Sequence, residues 1–456
     1  MDSDVRYSLE SADKRSVVAV AQNLVGKTLR DVARIDSLDS FSSEEDPFEA
    51  AIIQYFANSS KPLCEYDGAF ERALSIKAFP VKIGRNGQLV AKDRLVLGKI
   101  GFSDILDEPW ETSLVRKQYG KLLLLAYLYE PCTNPVDYIF QFADFWAMPD
   151  EDAYTIQRDW ETVVGKISSG RAHEISSGDT LYLEAYAKDG LASGTVPQPL
   201  SDIPAIPRYW AFKKSFVMSL VHRMSDAQKI SRSKLQSTLP LSELVRQHFD
   251  KYVGYTEEDL GEIFGLTQKG KRPPKSLSAL ITRRILGVAE DSKILEFEKA
   301  GIVAKTIRLK RNGVPKYPMS FPKFDYCKLA VTPFEDSDFR GYLEQKYLLV
   351  IFREDDEVRN EYHLDSVLFW QMPESDIPEA RRCYKEMQRR VRDGHADQSV
   401  KATENRCCHV RPHGRNAEDT CMTPYGVPVI KKSFWFNSKY IAGEIQRLNT
   451  KGLSVG

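Results

Sequence analysis

The sequence predicts a mixed α/β protein, built as a tandem duplication of one unit of about 200–220 residues. Helical and alternating apolar patterns follow one another along the chain, and several short phrases occur twice. Phe-Trp-x-Met-Pro stands at 145–149 and again at 369–373, in a chain with six tryptophans. Three further pairs keep the same chain order: VGKTLRDV (25–32) with VGYTEEDL (253–260), Arg-Asn-Gly at 85–87 and 311–313, and KKSF at 213–216 and 431–434.

The distances between the repeated phrases change slowly along the chain. The second member lies 228, 226, 224 and 218 residues after the first, taking the pairs in chain order. Such a gradual drift is expected for two diverged copies with small loop deletions. We therefore predict one domain at 1–228 and a second at 229–456.

Length and composition are those of a globular protein with room for two cores. The chain has 456 residues, of which 42% are hydrophobic and 28% charged. Its seven cysteines lack the spacing of a disulfide framework, which indicates a reducing compartment. No run approaches the roughly 18 apolar residues of a membrane span, and the first residues lack a signal peptide's apolar segment. We expect a cytoplasmic protein that does not bind membranes.

Bulk charge gives little sign of a nucleic-acid binder. Lysine and arginine number 64, as do aspartate and glutamate, whereas nucleic-acid-binding domains usually have a basic excess. The charges are clustered, however, with basic runs at 269–284 and 308–311 and acidic runs at 334–339 and 353–357. This segregation permits a local phosphate-binding face. Solvated surface charge explains it equally well.

The first part of the N-terminal copy predicts two helices and a hairpin. A helical pattern covers 17–32, and a second helix covers 46–57, where Phe48, Ala51, Ile52 and Phe56 recur at helical spacing. Residues 73–82 alternate as a strand, Asn-Gly supplies a hairpin turn, and 88–100 return as the second strand.

The second part of this copy alternates between helices and strands. We predict helices at 113–129, 154–170 and 213–224, and strands at 137–149 and 178–186. The Trp beside Phe and Met in the repeated Phe-Trp-x-Met-Pro phrase is more typical of core packing than of base stacking.

The first predicted strand of the hairpin carries a pattern found in metal-dependent nucleases. Ser75 and Lys77 lie on one face because side chains alternate along a strand, and Glu65, Asp67 and Glu71 come just before it. In such nucleases, acids hold Mg²⁺ while the lysine orients the attacking water and offsets developing charge. An ordinary surface hairpin with the same residues is the alternative.

The order of these landmarks resembles the family of the MutH mismatch-repair endonuclease and the Sau-three-A-type restriction endonuclease. The match runs from the helix of Glu49 through the Lys77 strand, FWxMP, RDWE, GDTLYL and KKSF. The second copy adds CCHVRPHGRNAED and YGVPVIKKSFWFN, which look like the segment by which MutH-type proteins read GATC. The resemblance implies two restriction-endonuclease-like, PD-(D/E)xK-type, MutH-like domains. In this layout the N-terminal copy cuts, and the C-terminal copy binds a second site and acts allosterically.

The resemblance implies a catalytic set of Asp67, Ser75, Lys77 and Glu49, with Asp67 and Glu49 holding Mg²⁺. The family strand reads Gly-Val-Glu-Leu-Lys, so this chain keeps the lysine but has Ser75 in place of the glutamate. Glu65 is an alternative to Asp67, and Glu49 is the leading candidate for the missing acid. The second copy has Val303 and Ser278 at the acid positions and is predicted to be non-catalytic.

Candidate DNA-binding residues lie mainly in the second copy. Arginine can pair with guanine, and asparagine with adenine, in the major groove. The match to the family covers Arg411-Pro412, with His413 where lysine is usual. A zinc site at Cys407, Cys408, His409, His413 and Cys421 is disfavoured, because adjacent cysteines rarely share one ion. The candidates are Arg411, His413, Arg415 and Asn416 for bases, Tyr186 and Lys188 as first-copy counterparts, and Lys213, Lys214, Lys431 and Lys432 for phosphate.

Two functions are therefore expected from these residues. The first is a Mg²⁺-dependent type II restriction endonuclease that cleaves double-stranded DNA at GATC-like sites. It would be a monomer able to dimerise on DNA, with a cognate DNA methyltransferase as a candidate partner. The second is an inactive MutH-like protein, a pseudo-nuclease or partner subunit, that binds DNA without cutting. Ser75 favours the second function, and Lys77 with Glu49 favours the first.

Overall fold

A computed structural model describes residues 18–35, 46–57, 75–84, 87–131, 133–188, 194–222, 227–230, 239–267, 274, 276–289 and 292–453. The chain divides into unit 1, Met1–Ser225 with Glu298–Ala300, and unit 2, Asp226–Phe297 with Gly301–Gly456. The first boundary lies close to the one predicted at 228–229. No helix in the described part of the chain is long and apolar enough to cross a membrane.

Unit 1 alternates helices and strands as a mixed α/β unit. Its helices are α1 (Leu29–Ala33), α2 (Pro47–Ala57), α3 (Leu114–Tyr119), α4 (Asp150–Ser168) and α5 (Lys214–Val221). Its strands are β1 (Ser75–Ile83), β2 (Leu89–Ala91), β3 (Leu95–Lys99), β4 (Lys121–Leu128), β5 (Phe140–Ala147), β6 (Leu183–Tyr186), β7 (Val196–Gln198), β8 (Ser201–Ala205) and β9 (Tyr209–Phe212).

Two sheets organise unit 1. The first has the strand order β2-β1-β4-β5, with β1 and β4 parallel and the other pairs antiparallel. The second has the order β3-β9-β6, and β7 pairs with β8 in a separate hairpin. Phe48, Ala51 and Ile52 of α2 are buried in the core beside the first sheet, as their spacing predicts.

The prediction of one helix over 113–129 is wrong in its second half. The helix α3 ends at Tyr119, and the apolar run that follows is strand β4. Residues 122–126 of this strand are all buried, because β4 lies inside the sheet between β1 and β5. A continuous apolar run is typical of a strand covered on both faces, and periodicity alone does not distinguish it from a buried helix.

Two other predicted elements are divided in the structure. The strand expected at 88–100 is broken between β2 and β3, and the two parts belong to different sheets. The helix expected at 17–32 is interrupted by turns at 23–26, and α1 begins after a new N-cap at Thr28. Gly26 has φ 85° there, a left-handed conformation that glycine adopts without strain.

Unit 2 contains the same kinds of element. Its helices are α6 (Leu241–Asp250), α7 (Glu257–Ile263), α8 (Leu277–Ile285), α9 (Leu295–Ala300), α10 (Tyr326–Val331), α11 (Asp338–Glu344), α12 (Ile377–Arg392) and α13 (Ser438–Leu453). Its strands are β10 (Ala227–Gln228), β11 (Lys293–Ile294), β12 (Ile302–Leu309), β13 (Met319–Lys323), β14 (Lys346–Glu354), β15 (Tyr362–Trp370), β16 (Cys408–Pro412), β17 (Thr420–Met422), β18 (Pro428–Ile430) and β19 (Lys432–Phe436).

The sheets of unit 2 repeat the connectivity of unit 1. The order β12-β14-β15 corresponds to β1-β4-β5, with the same parallel and antiparallel pairs. The order β13-β19-β16 corresponds to β3-β9-β6. The helices α4 and α12 follow the Phe-Trp-x-Met-Pro phrase in their own units. A tandem duplication would produce this relation.

The repeated phrase that begins with Val-Gly occupies equivalent places in the two units. Thr28 and Asp31 form a capping box at the start of α1, and Thr256 and Asp259 form one at the start of α7. Each box satisfies backbone N–H groups that the first helical turn leaves without partners. Gly26 donates its backbone N–H to the carbonyl oxygen of Phe140 in β5. Gly254 donates in the same way to the carbonyl oxygen of Leu364 in β15.

The two KKSF segments are not equivalent, which corrects the sequence prediction. Strand β9 aligns Phe212 with Leu183, and β19 aligns Phe436 with Cys408. Phe212 and Phe436, which hold matching positions, lie 224 residues apart, whereas the KKSF segments lie 218 residues apart. The first segment continues into helix α5, and the second enters strand β19. The shared letters are therefore six residues out of structural register.

Candidate active site and DNA-binding surface

An ion pair joins Glu49 of α2 to Lys77 of β1 in unit 1. The Lys77 Nζ lies 3.1 Å from the Glu49 Oε2, and the two side chains are 12% and 20% exposed. Helix α2 packs beside β1 through its apolar face, which brings Glu49 in the first helical turn to the strand. The sequence predicts both residues for the site, and the structure brings them together.

The surroundings of this pair make the charge on Glu49 costly. Burial raises the pKa of Glu49 above its ordinary value of 4.5, and nearby Asp46 acts in the same direction. The ammonium of Lys77 and the backbone N–H of Ala78 lower the pKa but do not cancel the effect of burial. The Glu49 carboxylate is therefore incompletely hydrated, and it would strongly attract a cation that entered the site.

Tyr119 lies beside the same pair and was not expected from the sequence. The Lys77 Nζ is 5.8 Å from the centre of the Tyr119 ring, within the range of a cation–π contact. The phenol donates to the Leu97 carbonyl oxygen at 2.6 Å. Burial and the charge of Glu49 raise the pKa of Tyr119 to about 12. The ring thus limits where the ammonium can move.

Ser75, at the position of the family glutamate, has a partner outside the site. Its hydroxyl donates to the Gln118 carbonyl oxygen at 2.8 Å. This bond connects the start of β1 to the end of α3. The hydroxyl oxygen keeps its lone pairs but has no charge, so Ser75 offers a metal ion only a weak, neutral donor.

The described residues fit a divalent metal in part. Glu49 supplies one partly exposed carboxylate and Ser75 a neutral oxygen, and Mg²⁺ prefers charged oxygen. Asp67, Glu65 and Glu71, which could supply a second carboxylate, lie outside the described residues. Among the described residues, Asp355, Glu361 and His363 are close enough to one another to hold a metal ion, but they belong to unit 2 and not to the unit of the predicted site.

The corresponding position in unit 2 has a different chemistry. The parallel pairing of β12 with β14 places Val303 and Lys305 where β1 has Ser75 and Lys77. Ser278 of α8 donates a hydrogen bond to Glu257, which also pairs with Arg308. Ser278 has no charge to offer to Lys305, and valine cannot bind a metal ion.

Arg411 and His413 lie around Trp435 on the sheet β13-β19-β16. The Arg411 guanidinium is 5.1 Å, and the His413 ring 5.0 Å, from the centre of the Trp435 ring. The Nδ1 of His413 is 2.8 Å from the hydroxyl oxygen of Ser433. Arg411 is exposed, so its guanidinium can reach a ligand while the tryptophan supports it.

The loop after β16 is organised by one carboxylate. Asp419 accepts from Lys431 at 2.5 Å and from Lys323 at 2.9 Å. It also accepts the backbone N–H of Arg415, and the Asn416 side-chain oxygen accepts the N–H of Asp419. The side-chain oxygen of Asn416 is therefore occupied within the loop, whereas Arg415 is exposed to solvent.

Two of the lysines predicted to meet phosphate donate to backbone carbonyls instead, Lys213 half-buried and Lys432 buried, which argues against those predictions. Lys213 donates to the carbonyl oxygens of Ser177 and Thr180. Lys432 is 1% exposed and donates to the carbonyls of Ala396 and Asp397. Burial lowers the pKa of Lys432 to about 8. The Lys432 ammonium is therefore closed off from DNA, and the Lys213 ammonium is occupied by the two backbone carbonyls that it holds together.

The remaining candidates in unit 1 lie at the surface. Tyr186 is aligned in its sheet as Arg411 is in the second unit. The Arg94 guanidinium lies 4.1 Å from the Tyr186 ring centre and 3.4 Å from the carboxylate of Glu184. Lys188 is exposed, and Lys214 is half-buried at the start of α5.

Sequence reasoning missed Tyr119, Trp435 and Asp419. The two aromatic residues gave no signal because their partners, Lys77 and Arg411, are distant in the sequence or on another strand. Asp419 lies three residues after Asn416, so a search for a carboxylate near the candidate cations would have found it.

Comparison with known proteins identifies two similarities. The family model of the DNA mismatch repair enzyme MutH matches residues 56–159, a range that contains Ser75 and Lys77. The type II restriction enzyme Sau3AI of Staphylococcus aureus is 28% identical over 490 aligned residues, which cover 95% of this chain and 99% of that enzyme. The match to the restriction enzyme extends over both units. The chain is therefore similar to MutH over part of unit 1 and to a Sau3AI-type restriction enzyme over nearly its whole length, and these similarities support a relationship to that family.

Proposed function

We propose that this protein is a Mg²⁺-dependent type II restriction endonuclease that cleaves double-stranded DNA at GATC-like sites. Unit 1 is proposed to cut, and unit 2 to bind a second site. The similarity to a restriction enzyme over 95% of the chain supports a nuclease of this general class. The observation that carries the proposal is the Glu49–Lys77 pair of unit 1, together with its loss in unit 2.

The proposed chemistry uses the residues at the start of β1. A bound Mg²⁺ would polarise the phosphodiester and lower the pKa of a water molecule. Glu49, with Asp67 as the proposed second acid, would hold the ion. Lys77 would orient the water and neutralise charge that develops on the phosphate. Tyr119 and Glu49 keep the Lys77 ammonium in place.

We base the proposed GATC specificity on the Arg411-Pro412 motif. The exposed Arg411 can donate two hydrogen bonds to a guanine. Arg415 and the partly exposed His413 are further candidates for base contacts, and Lys431 for phosphate. In unit 1 we propose Tyr186, Lys188 and Lys214 as DNA contacts. Dimerisation on DNA, a methyltransferase partner and a cytoplasmic location stay predictions from the sequence.

A plasmid assay tests the proposal. The full chain with Mg²⁺ is incubated with a plasmid rich in GATC and with one from which every GATC has been removed. We expect cleavage of the first plasmid only, and loss of cleavage in Lys77→Ala. Gln54→Ala, an exposed change on α2, is the matched control and should cut normally. Cleavage of both plasmids would contradict the specificity, and absence of cutting would contradict the nuclease.

Ser75 supports a second candidate function, a DNA-binding protein that does not cut. Its hydroxyl proton is used in the bond to Gln118, and it supplies no negative charge to a metal ion. Under this alternative, the chain binds a GATC duplex in a gel shift but leaves the plasmid intact. Calorimetric titration of Mg²⁺ into the protein–DNA complex separates the functions, because only the nuclease should lose metal affinity in Glu49→Ala.

A further inference from the structure

Lys305 of unit 2 retains the position of Lys77 but lacks its acidic partner. Its ammonium donates to the Ser320 carbonyl oxygen at 3.5 Å, the outer limit of a hydrogen bond. In the described part of the chain it has no carboxylate at ion-pair distance. Burial lowers the pKa of Lys305, which shows that its charge is incompletely solvated. A half-buried cation without a counter-ion is unfavourable for stability.

Other cations converge on the same place. Lys323 of β13 and Arg411 of β16 are both aligned with Ser433 of the central strand β19. Side chains at one register position of a sheet lie on the same face. This face is the one that carries Trp435, whereas Phe434 packs on the opposite face against α12 through Tyr384.

His413 connects the lysine of β12 to this face. Partial burial lowers the pKa of His413, and the charges of Lys323, Arg411 and Lys305 lower it further. The Lys305 ammonium also lies 3.5 Å from the carbonyl oxygen of Ser320 on β13, and Ser320 is aligned with Trp435 of β19, so the three cations border the same part of this sheet. They come from β12, β13 and β16, which belong to the two different sheets of unit 2.

The surface is not neutralised by the acids that the structure describes. Asp419 is shared between Lys323 and Lys431, so one negative charge serves two cations. Arg411 has the ring of Trp435 as its neighbour, and no described carboxylate forms an ion pair with it. A ligand with negatively charged oxygens would supply the missing countercharge.

The equivalent places in unit 1 have the opposite balance. Lys77 is paired with Glu49, and Arg94, beside Tyr186, is paired with Glu184. Carboxylates of this kind repel a phosphodiester unless a metal ion lies between them. The same strand position thus favours a metal ion in one unit and a phosphate in the other.

We propose that Lys305 and Lys323, beside the proposed guanine-binding Arg411, form a phosphodiester-binding surface by which unit 2 holds DNA without a divalent metal. This inference rests on the proposed DNA binding by unit 2 and deepens it. Lys305 is assigned a direct contact with the backbone phosphate in place of the catalytic role that its position suggests. The loss of the acids at 278 and 303 is then what makes the surface attractive to DNA.

The test measures DNA binding by the full chain in EDTA, with fluorescein-labelled duplexes that contain GATC or a scrambled sequence. Fluorescence anisotropy at several salt concentrations gives both the affinity and its salt dependence. We expect wild type to bind without metal. Lys305→Met should weaken binding to both duplexes by a similar factor and reduce the slope of log affinity against log salt by about 1, as the loss of one phosphate contact requires.

Stability provides a second readout that a structural role would not give. Removing an unpaired half-buried charge should leave the melting temperature of Lys305→Met unchanged or higher, whereas loss of a structural contact would lower it. Lys305→Arg should retain the affinity and the slope. Lys385→Met, an exposed change on α12, is the matched control and should bind as wild type does.

The outcomes separate this inference from the proposed nuclease. Binding that requires Mg²⁺ in wild type would overturn the inference, as would an unchanged salt slope in both Lys305→Met and Lys323→Met. Neither measurement depends on cleavage. A protein that binds in EDTA but cuts no plasmid would support the surface and contradict the nuclease.

Discussion

At the scale of the residue, Glu49 and Lys77 are the pair on which catalysis is proposed to depend. Their contact at 3.1 Å joins a helix to a strand. The pair is partly buried, so its Coulomb interaction is stronger than that of a surface pair. Ser75, two residues before the lysine, is instead committed to the backbone of α3 through Gln118. A single carboxylate therefore carries most of the negative charge that the described residues offer there.

Replacing that carboxylate should abolish cutting without abolishing DNA binding. We expect Glu49→Gln to reduce the cleavage rate by at least about 100-fold, because it removes a charge needed in the transition state. Binding to a GATC duplex in EDTA should stay within about twofold of wild type or become tighter. Single-turnover cleavage and anisotropy measure the two effects. Retained cleavage in Glu49→Gln would show that the acid comes from elsewhere.

The raised pKa of Glu49 predicts an acid limb in the activity. A carboxylate must be ionised to hold a metal ion, and burial makes this one protonate above its ordinary value of 4.5. The cleavage rate should therefore fall as pH is lowered, and the fall should begin above pH 4.5. Initial rates at a fixed, subsaturating Mg²⁺ concentration measure it, because excess Mg²⁺ would itself favour the ionised carboxylate, and DNA binding in EDTA is the control for folding. A rate that stays constant down to pH 4.5 would contradict the assignment.

At the scale of the element, strand register decides which residues are equivalent. The two KKSF segments share letters but not structure, since one enters α5 and the other β19. The register places Lys432 where unit 1 has Arg208. Both cations are buried and donate to backbone carbonyls. Their shared role is to hold neighbouring loops to the sheet.

This burial of Lys432 predicts a pH-dependent stability. Its pKa in the folded protein is about 8, lowered by burial from an ordinary 10.5. Between these values the unfolded chain binds more protons, so the free energy of unfolding should rise with pH. Relative to Lys432→Met, we expect wild type to gain about 2 kcal/mol over this range. Urea denaturation followed by tryptophan fluorescence at pH 7.5, 8.5 and 9.5 measures the difference.

The same variant tests whether Lys432 contacts DNA. At pH 7.5, and in urea-free buffer where it is folded, Lys432→Met should show the salt slope of wild type. A slope reduced by about 1 would mean that the lysine does reach phosphate. A pH dependence equal to that of wild type would contradict the account of its burial.

At the scale of the whole molecule, two units share one connectivity but differ in charge at the same strand position. Unit 1 pairs its lysine with an acid, and unit 2 has Val303 and Ser278 near Lys305. This difference supports the proposal that unit 1 cuts DNA and unit 2 binds a second site. It requires that occupation of unit 2 by DNA alters cutting by unit 1.

Plasmids with one or two GATC sites test this division. We expect wild type to cut the two-site plasmid at least about fivefold faster, a ratio typical of coupling between sites. Arg411→Ala should reduce the two-site rate to that of the one-site plasmid, because unit 2 then lacks its proposed guanine contact. Arg382→Ala, a largely exposed residue on α12, is the control. Equal rates on both plasmids in wild type would remove the allosteric role.

The mixed α/β class could be read from the sequence alone, and so could the predictions of two domains and of a site at Glu49, Ser75 and Lys77. Periodicity fixed most helices and strands, because burial of one face requires it. Repeated phrases at the capping boxes and at the ends of β5 and β15 indicated the correspondence between units. These features are local, so single segments of sequence contain them.

The features that depend on contacts between distant segments of the chain became visible only in the folded structure. It showed that the apolar run after Tyr119 is a strand, since burial between β1 and β5 cannot be read from that run alone. It also buried Lys432 and bound Lys213 to backbone carbonyls. It left Lys305 without an acid among the described residues while bringing Lys323 and Arg411 to one face. Charge and burial at a site are sums over neighbours from several strands, and the fold alone brings those neighbours together.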